Sequence, residues 1–174
     1  MVSLELEKFK VEKNGKVYVK NFIPLTYLDL PVELVSDDGS IYMLWINDLE
    51  DKELWYIIFI NPNQILRYLR GEISARDLIE SGETYVGERS YENYFEIKNL
   101  IELNSAIKNK LVNKLPTYQA KIKLDEIFYK EIENLIYQNL KKEQITNDLK
   151  DIKKFNEINS LYLGNSSICL AING

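Results

Sequence analysis

The chain of 174 residues contains no histidine and a single cysteine, Cys169. Histidine is the commonest general base and transition-metal ligand in proteins, so its absence excludes Ser-His-Asp and Cys-His catalysis. One cysteine alone excludes an intramolecular disulfide and a cysteine-based zinc site. An enzyme built from this sequence would depend on carboxylates, lysine or tyrosine, with an oxygen-liganded metal such as magnesium.

Long apolar runs and interdomain linkers are also lacking. The longest apolar run is Leu54 to Ile60, whereas a bilayer-spanning helix needs roughly 20 residues. The first twenty residues contain no apolar core of a signal peptide. With only 7 glycines and 4 prolines, a long flexible linker is not expected. These features predict one cytoplasmic domain over residues 1–174, with no membrane partner.

Positive charge is in deficit, because 27 acidic residues oppose 22 lysines and arginines and give a net charge of −5. Nucleic acids and anionic membranes attract clustered basic residues. The composition therefore makes nucleic acid an unlikely partner and points to another protein. No cofactor is predicted, because the sequence contains no Walker loop, no Gly-x-Gly-x-x-Gly and no nucleophile elbow.

The N-terminal third has the alternation of a β-meander. Apolar and charged residues alternate on both sides of Asn14 and Gly15, the preferred pair of a type I′ turn. A second hairpin is predicted around residues 37–40, and the strand that follows it leads through an acidic loop to another apolar strand at 54–60. We predict an antiparallel β-meander over residues 1–60.

The middle segment, residues 61–115, alternates short helices and strands. Asn61-Pro62 opens one short helix, and a second begins at Ser74. Short strands are predicted near residues 84–86 and 94–97, followed by a helix from Leu100 to Leu115. The segment 116–174 is predicted to be helical, with helices at 125–143 and after Thr146. An apolar tail at 161–172 is predicted to return to the sheet as a strand. The expected fold class is α+β, with the meander packed against C-terminal helices.

Two surfaces of the predicted meander are candidate binding sites. The acidic loop carries Asp48, Glu50 and Asp51, and we expect it to form one acidic end of the sheet together with the turn at residues 37 and 38. Such a surface suits a basic partner and can imitate the phosphates of a nucleic acid. The second candidate is an aromatic strand face, since aromatic residues are enriched at protein interfaces. Its residues are Trp45, Trp55 and Tyr56, with Tyr42 beside them.

One pattern is typical of catalysis. Glu96 and Lys98 form a Glu-x-Lys at the end of an apolar strand, with Asp77 upstream. Magnesium-dependent nucleases of the restriction type place an Asp, a Glu and a Lys together at a sheet edge, where the carboxylates hold the metal. Against this hypothesis, Asp77 falls at a predicted helix cap. Catalytic residues are therefore not assigned, and these three are retained as candidates.

Residues 30–81 resemble an uncharacterised bacterial domain family of unknown function. The likeness lies in the strand pair followed by short helices, including the run Ile73-Ser74-Ala75-Arg76-Asp77. It implies a fold but no catalytic residue, and chains of this kind are similar to accessory proteins of mobile elements and phage-defence loci. We therefore interpret the chain as a non-catalytic protein-interaction module, an accessory or inhibitor protein of such a system that could form a homo-oligomer. The alternatives are an acidic nucleic-acid-mimicking inhibitor and the magnesium-dependent nuclease.

Overall fold

The computed structural model describes the backbone of residues 4–172 and the side chains of residues 4–161. Seven strands form a closed barrel in chain order. They are β1 (Glu7–Lys13), β2 (Lys16–Leu28), β3 (Leu30–Ser36), β4 (Ile41–Asp48), β5 (Lys52–Phe59), β6 (Glu83–Ser90) and β7 (Glu96–Glu102). The helices are α1 (Pro62–Leu69), α2 (Ala75–Ser81), α3 (Ser105–Lys110) and α4 (Glu126–Ile172), with a 3-10 turn at Val112–Lys114.

The barrel closes between its first and last strands. All consecutive strands pair antiparallel. Because seven is odd, β1 and β7 run in the same direction and pair in parallel, through Lys10 with Glu96 and Val11 with Ile97. The predicted α+β class and antiparallel hairpins are confirmed. The closure of the sheet into a barrel was not predicted, and it leaves this sheet without a free edge.

Successive side chains along each strand point alternately into the barrel and toward its outer surface. The interior is packed with side chains from all seven strands, among them Phe9, Phe22, Met43, Trp55 and Ile57, which are fully buried. It is thus a core and not a channel.

Helices cover part of the barrel's outer surface. Ile65, Leu66 and Leu69 of α1 are buried, as are Leu78 and Ile79 of α2. The beginning of α4 contributes the fully buried Ile132 and Ile136.

Gly39 marks the close approach of α4 to the turn between β3 and β4. It has φ +70°, and a Cβ at this position would lie 3.2 Å from Cγ2 of Ile136. Only glycine satisfies both the backbone conformation and the space.

Hydrogen bonds to Asp38 organise the turn between β3 and β4. Its Oδ1 accepts from the Ser36 hydroxyl at 2.7 Å and from the backbone N–H of Ser40 at 3.1 Å, and Lys20 forms an ion pair with its other oxygen. Burial alone would raise the pKa of Asp38, but the hydrogen bonds from Lys20, Ser40 and Ser36 outweigh it and hold the pKa below its usual value. The ionised carboxylate therefore stabilises the folded state.

Asp38→Asn is expected to lower the free energy of unfolding at pH 7 by about 2 kcal/mol, the typical worth of hydrogen bonds to a charged group. Because the folded-state pKa is depressed, this contribution is fully present above the unfolded pKa and disappears as pH falls through the folded one. Urea unfolding of the wild type and Asp38→Asn at a series of pH values measures this contribution. If the difference in unfolding free energy between the two proteins stays constant down to the most acidic pH at which they fold, the depressed pKa of Asp38 is contradicted.

The predicted helix from Leu100 to Leu115 is wrong in its first part. Residues 96–102 form β7, and α3 begins only at Ser105. This segment pairs with β6, for example through Ile101 opposite Val86. The pairing helps to close the barrel and so outweighs the helical spacing of the apolar residues.

The predicted terminal strand at 161–172 is also wrong. A single helix, α4, runs from Glu126 to Ile172 and replaces the two predicted helices and the strand. A returning strand would need an open sheet edge, and the pairing of β1 with β7 has removed it. Within the described part of the chain, no helix is long and apolar enough to cross a membrane.

The chain divides into two compact units. Met1–Tyr137 contains the barrel, the short helices and the first turns of α4, and Gln138–Gly174 contains the rest of α4.

Candidate functional site

Two hairpin turns lie side by side at one end of the barrel. The first joins β4 to β5 and carries Asp48, Glu50 and Asp51, and the second joins β6 to β7. They are neighbours because β5 pairs with β6, and the backbone N–H of Tyr91 donates to the carbonyl of Asp51 at 3.4 Å. We call this surface the acidic end and define it by Asp48, Glu50, Asp51 and Glu92, whose side chains are all exposed.

A polar cleft of ≈ 350 Å³ opens beside these turns. Its two lysines are already engaged, since Lys52 contacts Glu88 at 2.8 Å and Lys98 contacts Glu96 at 3.1 Å. Glu88 also accepts a hydrogen bond from the side chain of Asn99 at 2.9 Å. Hydrogen bonds from Lys52 and Asn99 lower the pKa of Glu88, so the carboxylate of Glu88 balances the charge of Lys52.

The acidic end itself retains its negative charge. Among the residues that the structure describes, Asp48, Glu50, Asp51 and Glu92 form no salt bridge. Four exposed carboxylates around a cleft of paired charges make a negative surface that attracts basic groups.

Aromatic and apolar side chains accompany these carboxylates. Trp45 is half-buried and donates from Nε1 to Asp48 at 3.2 Å, and Tyr91 is exposed. Partial burial, the charge of Asp48 and a hydrogen bond to it raise the pKa of Tyr91, which keeps the phenol protonated as a donor. Leu49 is exposed at the tip of the first turn. A mixture of aromatic, apolar and charged groups is typical of protein-binding surfaces.

The predicted binding residues separate into two groups. Asp48, Glu50 and Asp51 lie together at the acidic end, with Trp45 at its margin. Trp55 and Tyr56 are fully buried: the ring of Trp55 fills the barrel interior and that of Tyr56 lies under the helices. The predicted exposed aromatic face therefore does not include these two rings, because closure and helix packing cover both sides of β5.

The predicted union of the two acidic turns is wrong. Asp37 and Asp38 follow β3, whereas Asp48 to Asp51 follow β4. Successive turns of an antiparallel meander lie at opposite ends of the strands, so these turns are separated by the length of β4. Asp38, in addition, is engaged with Lys20.

The three nuclease candidates are not brought together. Glu96 and Lys98 contact one another in the polar cleft. Asp77 instead completes the capping box of α2, where it accepts from the backbone N–H of Ser74 at 2.7 Å, and lines a different depression with Arg67 and Glu80. In the described part of the chain, no group of three acidic or cysteine side chains is placed to hold a metal ion. The nuclease hypothesis therefore gains no support from the geometry.

A buried ion pair lies inside the barrel near the same end. Nε of Arg89 donates to Oε2 of Glu53 at 2.6 Å, and Nε1 of Trp55 donates to the same oxygen at 2.9 Å. The guanidinium stacks 3.9 Å from the ring centroid of Tyr94 and 4.5 Å from that of Trp55. Cation–π contacts of this kind strengthen when they are desolvated.

Glu7 lies close to this pair. Burial raises the pKa of Glu7, and the positive charge of Arg89 only partly opposes the shift. Its buried Oε2 has no hydrogen-bond partner in the described part of the chain, whereas Nη2 of Arg89 lies 2.5 Å from Oε2 of Glu53. Arg89 and Glu53 are buried, at 1% and 7% exposure, so the ion pair is part of the packed core.

The burial of Arg89 was not predicted from the sequence. A signal was present, because Tyr85, Gly87 and Arg89 share one face of β6. The predicted strand ended too early for this alternation to be recognised. Arg67, Arg70 and Arg76, by contrast, form ion pairs at the surface.

Comparison with known proteins finds no relative. No family model matches the chain, and neither a curated protein nor a solved structure is significantly similar to it. The resemblance to a bacterial family of unknown function stays a prediction.

Proposed function

We propose that this protein is a non-catalytic interaction module that binds a basic surface of another protein through its acidic end. The observation that carries the proposal is the juxtaposition of two turns, which gathers four exposed carboxylates that form no salt bridge with any described residue. The neighbouring lysines, Lys52 and Lys98, are occupied by Glu88 and Glu96.

Electrostatics explains why such a surface selects its partner. Complementary charge speeds encounter and disfavours partners of the wrong sign. Leu49 and Tyr91 supply apolar contact area that a purely charged surface would lack. Both turns project from paired strands of one barrel, so little conformational entropy is lost on binding.

Charge reversal tests the proposal. Glu50→Lys/Asp51→Lys is expected to weaken partner binding about tenfold or more, mainly through the association rate, since exposed interface charges act chiefly on that rate. The partner is first captured from native extract with the wild-type chain, and its affinity is then measured for each variant at low and high salt.

Glu12→Lys/Glu102→Lys is the matched control. It makes the same change in net charge at the opposite end of the barrel, where β1 and β7 finish, and is expected to bind like the wild type. Equal loss of binding in both double variants would show an effect of net charge alone and refute a site at the acidic end.

The second candidate function is an acidic decoy that occupies the nucleic-acid site of a basic protein. It is favoured by the same exposed carboxylates, spaced around two adjacent turns. A competition experiment discriminates the two functions. Nucleic acid displaces this protein from its partner only if nucleic acid and this protein bind the same site on that partner. The assignment to a phage-defence or mobile-element system stays a hypothesis, which the identity of the partner tests.

A further inference from the structure

Two exposed leucines lie at the turn between β2 and β3. Leu28 and Leu30 are 68% and 54% exposed and are paired with each other across Asp29, and the neighbouring Tyr27 is 49% exposed. Asp29 has φ 64°, a left-handed conformation that aspartate adopts more readily than most residues and that permits so tight a turn. We call residues 26–31 the hairpin tip. Contiguous exposed apolar side chains of this kind mark an interaction site.

The hairpin tip projects beyond the strand pairing of the barrel. β2 pairs with β1 only as far as Phe22, and β3 pairs with β4 only from Glu33 onward. Past these positions β2 and β3 pair with each other alone, as far as Leu28 and Leu30. The two leucines are therefore presented outward from the body of the barrel.

Side-chain hydrogen bonds hold the hairpin tip in place. The Thr26 hydroxyl donates to Glu33 at 2.7 Å, and the Tyr27 hydroxyl donates to Oε2 of Glu5 at 3.3 Å. Partial burial and the charge of Glu5 raise the pKa of Tyr27, so its phenol stays protonated as a donor. Because the tip is already ordered, its leucines lose little conformational entropy when they bind a partner.

The hairpin tip lies at the same end of the barrel as the acidic end. Consecutive strands are antiparallel, so β2, β4 and β6 all finish at one end of the barrel. The turn after β2 is the hairpin tip, and the turns after β4 and β6 carry the acidic end. Since β3 also pairs with β4, the hairpin tip and the turn with Asp48 are neighbours on this rim. A single partner can cover both.

A depression of ≈ 360 Å³ lies at the base of the hairpin tip. Its walls are apolar and aromatic, formed by Ile23, Pro24, Tyr27 and Phe128. Among the described residues that line it, only Glu5 carries a charge. The aliphatic stem of a lysine or arginine can pack on such walls while its cation contacts an aromatic ring and the carboxylate. The depression therefore favours a basic side chain over an acidic one.

The charge around the hairpin tip decides what covers it. Residues 21–51 include aspartates and glutamates but no lysine or arginine. Cytoplasmic membrane surfaces and nucleic acids are negatively charged, and a second copy of this chain would present the same acidic surroundings. All three are repelled here, whereas a basic protein surface is attracted.

We propose that the hairpin tip is the apolar anchor through which this protein holds the basic partner of its acidic end. Leu28 and Leu30 pack on an apolar patch of that partner, next to its lysines and arginines. The inference rests on the proposed function, and it assigns the two surfaces different effects on the kinetics. The exposed carboxylates govern the association rate, and the buried leucines govern the dissociation rate.

Binding kinetics of the full chain test the anchor, with the partner protein isolated by the wild type as the probe. Leu28→Ser/Leu30→Ser is expected to weaken affinity about tenfold or more, through faster dissociation, because truncation of a central apolar contact has effects of this size. The loss is expected at both low and high salt, since salt screens charges and not apolar contacts.

Val17→Ser/Val19→Ser is the matched control. These valines are 53% and 48% exposed and belong to the same strand, toward the opposite end of the barrel. The control is expected to bind like the wild type, and circular dichroism verifies that both double variants are folded.

The possible results separate this inference from the proposed function. Wild-type affinity in Leu28→Ser/Leu30→Ser alone, with binding still weakened by Glu50→Lys/Asp51→Lys, would overturn the anchor and leave the acidic end standing. Wild-type affinity in both of these variants, or a wild type that captures no partner, would refute the acidic end as well. Wild-type binding to vesicles of phosphatidylcholine and phosphatidylglycerol, lost in Leu28→Ser/Leu30→Ser, would assign the leucines to a lipid surface and overturn the inference.

Discussion

Arg89→Ala is expected to lower the free energy of unfolding by about 3–5 kcal/mol, because removing one member of a buried ion pair leaves the other charge uncompensated. Glu53 is only 7% exposed, and its Oε2 is the acceptor for both Arg89 and Trp55. The substitution also removes the cation stacked between Trp55 and Tyr94 and leaves a cavity in the barrel. Since a typical domain has an unfolding free energy of about 5–15 kcal/mol, such a loss is a large fraction of the total stability.

Chemical denaturation monitored by tryptophan fluorescence measures this effect, since Trp55 lies against the guanidinium. The double variant Arg89→Met/Glu53→Gln is the control: it removes both charges, fills much of the space and keeps an acceptor for Trp55. We expect it to recover at least half of the lost stability, because a buried ion pair is often replaceable by neutral groups of similar volume. A single variant as stable as the wild type would mean that Arg89 is solvated and not buried.

Glu33→Ala is expected to lower the free energy of unfolding by about 3 kcal/mol or more. It leaves several hydroxyl donors without their acceptor, and each unsatisfied buried hydroxyl costs about 1–3 kcal/mol. Glu33 is 7% exposed under α1. It accepts from the hydroxyl groups of Tyr42 at 2.6 Å, Thr26 at 2.7 Å and Tyr68. Burial and the charge of Glu33 raise the pKa of Tyr42 well above its usual value, so Tyr42 remains a donor at any physiological pH.

Glu33→Gln tests the hydrogen-bonding explanation, because it keeps one carbonyl acceptor and the volume of the side chain. In urea unfolding, Glu33→Gln is expected to lower the free energy of unfolding by less than half as much as Glu33→Ala does. If Glu33→Gln and Glu33→Ala lower the free energy of unfolding equally, the negative charge of Glu33 is what stabilises the fold, and the retained carbonyl acceptor contributes nothing. Tyr68→Phe removes one donor without exposing another group and is expected to be the mildest of the three.

Local patterns predicted the strands and caps of the first unit well. Asn14-Gly15 fixes a hairpin because both residues adopt positive φ angles, 52° and 78°. Ser74 and Asp77 cap α2 reciprocally, as their spacing indicates. Such signals are short-range, so one sequence suffices to recognise them.

Long-range features were not predictable from one sequence. Closure of the barrel depends on two residue pairs between β1 and β7, which are more than eighty positions apart. That pairing turns the expected helix start at Leu100 into a strand and excludes the returning terminal strand. It also encloses Arg89, whose surroundings come from β1, β5 and the turn before β7.

The acidic end was predicted in part. The carboxylates at 48–51 are apparent in the sequence, but their neighbour Glu92 belongs to a turn that only the pairing of β5 with β6 brings beside them. Asp37 and Asp38 were wrongly grouped with them, although the predicted meander itself implies that successive turns lie at opposite ends of the strands.

Site-specific photo-crosslinking tests the central claim most directly. A photoreactive residue is introduced at Glu50, on the acidic end, or at Glu12, at the opposite end of the barrel, and each protein is irradiated in native extract. The account predicts a specific adduct with a second protein from position 50 and none from position 12. Adducts of equal yield at both positions, or from position 12 alone, would contradict it.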